Sequence, residues 1–279
     1  MVLIIVLVVV VGRGGTSSNA GPCLGDLLDH LPEDTSLVYG TDLLQARGVG
    51  YDDGASLEDL GDTLRTTGAI PDPLSRQFRF QQLTSVEELT ARTGVEIADM
   101  ECSLSTPDGD AVLTGTFDVD RVQGSELGAD GLLQATEDRL ALGRRGADVG
   151  TLVEPVEDGL GSNEAVRRVV ESLRDDGSYS ILVEAADTDD PDAADAGGIG
   201  VGGDDDQREL VIAYAYDDDA GANADLAEVI DQVNELARGT SSISTDDLEV
   251  DGSLIRAVIP VREALDIDRV LNGGTPILP

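Results

Sequence analysis

His30 is the only histidine in the chain, and Cys23 and Cys102 are the only cysteines. Any Ser-His-Asp or Cys-His mechanism must therefore run through His30. That residue lies in a short amphipathic stretch just before Pro32, where a surface or capping role is the ordinary expectation. No Gly-x-Ser-x-Gly elbow presents a serine nucleophile. One imidazole and two thiols cannot make a closed zinc site without carboxylates. The two cysteines form either one disulfide or two free thiols, and export would favour the disulfide. Asp217, Asp219, Gly221, Asn223, Asp225 and Glu228 fall on positions 1, 3, 5, 7, 9 and 12 of a calcium-loop register. Asp217, Asp219, Asn223, Asp225 and Glu228 would supply the side-chain oxygens for a hard cation. Ala222 stands where such a loop needs glycine for its sharp turn, so the competing reading is a solvated turn that caps the next helix. Gly198-Ile199-Gly200-Val201-Gly202-Gly203 satisfies G-x-G-x-x-G. No helical pattern follows it, and Asp204, Asp205 and Asp206 would repel a pyrophosphate, so it reads as a flexible loop. No catalytic residue and no cofactor follow from these constellations.

Composition narrows the setting. The 279 residues carry 56 Asp plus Glu against 18 basic residues, a net charge of −38, and every basic residue is Arg. A basic face for nucleic acid is excluded, because phosphate neutralisation needs clustered cations. The adjacent pairs Arg144-Arg145 and Arg167-Arg168 read as surface ion pairs with the surrounding acids. Such a charge normally opposes compaction by self-repulsion, but at molar salt the screening length falls to about 3 Å. Many acids with no lysine resembles the composition of haloarchaeal proteins. An acidic disordered chain is the competing reading, and the periodic Val, Leu, Ile and Ala count against it. Carboxylates are so common here that an acidic cluster says little about metal binding or acid–base chemistry.

Met1 to Val11 is an unbroken apolar run of 11 residues, too short for a spanning helix of roughly 20 and suited to the core of a secretory signal. No basic residue precedes it, which places the expected start upstream of Met1. The run continues as Val11-Gly12-Arg13-Gly14-Gly15 and a Thr/Ser/Asn tether from Thr16 to Asn19. This resembles the lipobox of bacterial and haloarchaeal lipoproteins, with Arg13 where the lipid-bearing Cys would stand. Arginine cannot form the thioether. Natural loss of lipidation, a changed residue and an ordinary signal are the three readings that follow.

The elements that must position these residues show through their periodicity. Cys23–Leu31 carries Leu24, Leu27, Leu28 and Leu31 at helical spacing, and Pro32 ends it. Strands are expected at 35–40, 96–105, 111–117, 132–142, 150–153, 179–186 and 210–216, with the last two paired. Helices are expected at 56–65, at 85–93 behind a Ser85/Glu88 capping box, and at 118–124, 163–173, 223–237 and 261–267. A hairpin is expected at 248–259 around Asp251-Gly252. The fold class is α+β, antiparallel sheets with packed helices, and the element order allows a duplicated ββαββα unit. The expected division is a signal-like segment and tether at 1–22, a first half at 23–175, and a second half at 176–279 with an acidic loop at 187–207.

The body also resembles a family of unknown function found in anchored extracytoplasmic proteins. The residues that carry the likeness are Leu31-Pro32-Glu33-Asp34-Thr35, Thr114-Gly115-Thr116-Phe117-Asp118 and the stretch Gly150 to Gly161. The resemblance implies a place outside the membrane and names no site. The expected role is therefore a non-enzymatic structural or interaction role, membrane-associated through the N-terminal segment. A solute-binding protein of a transport system is the alternative, and a hydrolase using two carboxylates is a further one. No protein partner is named by these features.

Overall fold

The computed structural model describes residues 23–48, 86–143, 148–186, 193–203, 208–236, 248–261 and 278. Its centre is one ten-stranded antiparallel sheet. The strands are β1 (Leu37–Asp42), β2 (Met100–Ser105), β3 (Ala111–Gly115), β4 (Leu133–Ala135), β5 (Arg139–Leu142), β6 (Ser180–Ala185), β7 (Ala196–Gly203), β8 (Arg208–Ala215), β9 (Leu248–Asp251) and β10 (Leu254–Val261). Their spatial order is β4-β5-β3-β2-β1-β6-β7-β8-β10-β9.

This overturns the expected fold class. The chain does not build separate antiparallel sheets from two ββαββα units, and helices are not an equal partner. One continuous sheet dominates, and most of its helices are short. Read outward from the β1–β6 seam, each half has the same strand order, β1-β2-β3-β5-β4 and β6-β7-β8-β10-β9. The seam joins segments about 140 positions apart, with Thr41 opposite Ser180 and Leu37 opposite Glu184.

The helices are α1 (Cys23–Leu28), α2 (Leu43–Gly48), α3 (Val86–Thr93), α4 (Val119–Gln123), α5 (Glu126–Ala129), α6 (Gly150–Val153), α7 (Glu164–Asp175) and α8 (Asp219–Leu236). Several are started by a side chain that accepts an otherwise orphaned backbone N–H. Asp118 accepts from Arg121 N–H, Ser125 from Gly128 N–H and Asn163 from Val166 N–H. Gly94 follows α3 with φ +74°, a left-handed residue that ends the helix.

The sheet is covered on both faces, so strand residues pointing either way are buried. On β8, Leu210, Ile212 and Tyr214 join one core, while Val211, Ala213 and Ala215 join the other. Helix α8 contributes Ala222, Val229 and Val233 to the first core. Helices α1 and α7 contribute Leu24, Leu27, Leu28, Val166, Val169, Val170 and Leu173 to the second.

Two local expectations also change. Residues 150–153 form the helical turn α6 instead of a strand. Strands β6 and β8 are not neighbours, because β7 lies between them. That strand is the glycine-rich stretch read above as a loop. Its glycines are a packing device. A Cβ on Gly198 would sit 2.5 Å from Val169 Cγ1 and 2.9 Å from Leu173 Cδ1, so only glycine lets α7 lie this close to the sheet. The segment 1–22 with Arg13, the helix expected at 56–65, Ser85, the Arg144-Arg145 pair, and residues 187–192 and 204–207 lie outside the described residues, as does all but Val261 of the helix expected at 261–267, and Val261 ends β10 instead. No helix among the described residues is long and apolar enough to cross a membrane.

Candidate functional site

The first turns of α7 meet the ends of three central strands. β6 closes just before Ala186, Asp195 leads into β7, and β8 runs out into Tyr216 and Asp217. Backbone bonds fix this corner. Ala186 N–H donates to Asp195 O at 2.8 Å, and Asp195 N–H donates to Ala215 O at 2.8 Å. Between these elements lies a cleft of about 340 Å³, lined among others by Asn163, Glu164, Arg168, Asp195, Tyr216 and Asp217.

Its electrostatics are mixed. Arg168 donates from Nη1 to Ser253 Oγ at 3.0 Å and to the Tyr216 carbonyl at 3.4 Å, both neutral acceptors. Burial raises the Asp195 carboxyl above its ordinary range, the charge of Asp217 adds to the rise, and Arg168 opposes it. The Tyr216 ring is turned the other way. Its hydroxyl donates to Asp225 Oδ2 at 2.7 Å, and burial together with that bond keeps it protonated.

The residues singled out by type are placed elsewhere. His30 is buried, with 3% exposure, and its Nδ1–H donates to the Leu152 carbonyl at 3.0 Å. A carbonyl only accepts, so Nδ1 carries the proton, and the ring is a bolt between the end of α1 and α6. Burial lowers its pKa, against the opposing pull of the Leu152 bond. The five calcium-register residues are not gathered round one point. Asp219, Asn223, Asp225 and Glu228 lie along α8, where the Asn223 amide donates to the Asp219 carbonyl and Asp225 is engaged by Tyr216. Only Asp217, just ahead of that helix, faces the cleft.

Cys23 and Cys102 are joined as a disulfide, with Cα atoms 6.2 Å apart. Asp42 lies beside them, and its carboxylate falls with the two sulfurs inside a 4.8 Å group. Bonded sulfurs offer no thiolate to a metal, and Asp42 Oδ1 accepts from Gln45 N–H at 2.9 Å to start α2. The pair thus ties α1 to β2, and through β2 to the centre of the sheet.

Sequence reasoning missed Arg168 and Asp195. Arg167 does form the surface ion pair expected of the doublet, reaching Asp29 at 3.0 Å, but Arg168 points into the cleft. Helical spacing does separate the two neighbours by direction, which is the signal that was available. Asp195 carried none, since acidic residues surround it in sequence.

Two of the segments that carry the family resemblance are brought together. Val156 N–H donates to Asp29 O, Leu160 N–H donates to Leu31 O, and Pro32 bridges to Gly159. No protein-family model and no curated protein matches the chain. Among solved structures, crystal form I of TP0453 is similar at 8% identity and a TM-score of 0.44, over 89% of this chain and 97% of that one. At that level the likeness says nothing about what this chain binds.

Proposed function

We propose that the chain is an extracytoplasmic protein of a halophile, held at the membrane by its N-terminal segment, with a non-enzymatic interaction role. The observation that carries this reading is the Cys23–Cys102 bond, because structural disulfides persist in oxidising compartments and are rare in the cytosol. The apolar run from Met1 to Val11 and the lipobox-like residues after it support the same location. A solute-binding role has its own support in the cleft at the start of α7, since small ligands bind in concave sites with a few convergent polar groups. The carboxylate hydrolase has less, because Asp217 is exposed and no buried pair of acids stands at the cleft. The test is intact mass after thiol alkylation of native protein from separated membrane and soluble fractions. A membrane-fraction chain that takes no alkylating label is the expected result. A soluble cytosolic chain labelled at both cysteines overturns the reading. The solute-binding role is tested separately, by melting-temperature shifts against a broad panel of small polar solutes at constant molar salt.

A further inference from the structure

The cleft has a chemical selectivity of its own. At about 340 Å³ it is at the small end of ligand pockets, which span about 300–1,000 Å³, so its occupant is small. Its one guanidinium stands apart among the described arginines. Arg92, Arg121, Arg139, Arg167, Arg174 and Arg256 each form an ion pair with a carboxylate. Among the described residues Arg168 has no such partner, although the chain carries a net charge of −38. Its hydrogen-bond partners among the described residues are the neutral oxygens of Ser253 and Tyr216, which anchor the head without a carboxylate in direct contact, while its charge still acts on Asp195. The same cleft is lined by Asp195 and Asp217, and the charge of Asp217 adds to the rise that burial gives the Asp195 carboxyl. A free anion would meet those acids together with Glu164. A free cation would satisfy the acids and be repelled by Arg168. A molecule with both charges satisfies both sides at once.

We propose that this cleft binds a small zwitterion, with its carboxylate on the Arg168 guanidinium and its ammonium between Asp195 and Asp217. Guanidinium and carboxylate match as planar, bidentate partners, which fixes the orientation of the ligand. The inference rests on the solute-binding reading and narrows it to one charge pattern.

The probes are glycine, acetate and methylammonium, titrated calorimetrically into the full-length protein at constant molar salt. Glycine is expected to bind saturably, and each half-ligand about tenfold or more weaker. Arg168→Gln and Asp195→Asn are each expected to weaken glycine by about tenfold. If methylammonium binds as tightly as glycine and Arg168→Gln changes nothing, the site is a cation site. The zwitterion is then overturned while solute binding stands. If none of the three probes binds but another solute of the panel does, the zwitterion fails alone. If no solute binds at all, both fail. The comparison of the three probes on the unaltered protein keeps the test decisive even if a variant fails to fold.

Discussion

At the scale of the residue, the single histidine is the clearest case of a reactive side chain used as structure. His30 donates one ring proton to the Leu152 carbonyl inside a buried corner, which requires the neutral ring. Burial lowers its pKa below the value of about 6.5 that it has in the unfolded chain. The unfolded state therefore binds more protons once the pH drops under about 6.5. The stability from this group is complete above that pH and is lost as pH falls through the lower folded value. Asp176 and Asp195, whose pKa values burial raises, act in the opposite sense. The comparison must therefore isolate the histidine. Melting temperature from about pH 8 down to pH 5, at constant salt, should fall less steeply for His30→Asn, whose amide keeps a donor toward Leu152. Identical slopes would show that His30 has no such role.

At the scale of the element, strand β7 explains why α7 can cover the sheet. Its alternate glycines, Gly198, Gly200 and Gly202, face the helix and the turn that follows it, and Gly198 is the tightest against the helix itself. Adding one methyl there must move Val169 or Leu173, so Gly198→Ala should destabilise by about 1–3 kcal/mol. Gly25 is the useful contrast. It lies inside α1, and a Cβ built there meets nothing within 4 Å. Gly25→Ala should therefore stabilise by about 0.5–1 kcal/mol, through helix propensity and a less flexible unfolded chain. Urea unfolding at fixed salt measures both, and the same sign for the two would refute the packing argument.

At the scale of the whole molecule, the disulfide links the start of the described chain to its sheet. Cys23 and Cys102 are 79 positions apart, and the loop between them leaves β1 and returns through α3 to β2. Closing so long a loop removes about 4.5 kcal/mol of unfolded-state entropy in the chain-entropy picture. A dithiol reductant, or the paired change Cys23→Ser with Cys102→Ser, should lower the urea midpoint accordingly. An unchanged midpoint would show that α1 is held by its leucines alone. Those leucines, 24, 27 and 28, are fully buried against Leu104, Val112 and Val170 in one core.

The sequence by itself determined the local elements whose signals are local. The leucines of α1, the helical stretch of α7 and the hairpin at β9 and β10 can each be read within a dozen residues. It also determined the electrostatic setting, because net charge is a sum over residue types and needs no coordinates. Tertiary structure alone decided the rest. Which strand lies beside β1 depends on a register with β6 about 140 residues away, and no local pattern encodes that choice. The glycines of β7 read as a loop because glycine has poor strand propensity, and only the approach of α7 gives them a reason. Arg168 and Asp195 were hidden for a related cause. One was half of an unremarkable doublet and the other one acid among 56 Asp and Glu. They became a candidate site only when the ends of three strands and one helix placed them around the same cleft. A charge acquires meaning from the charges it faces, and that neighbourhood is set by the fold.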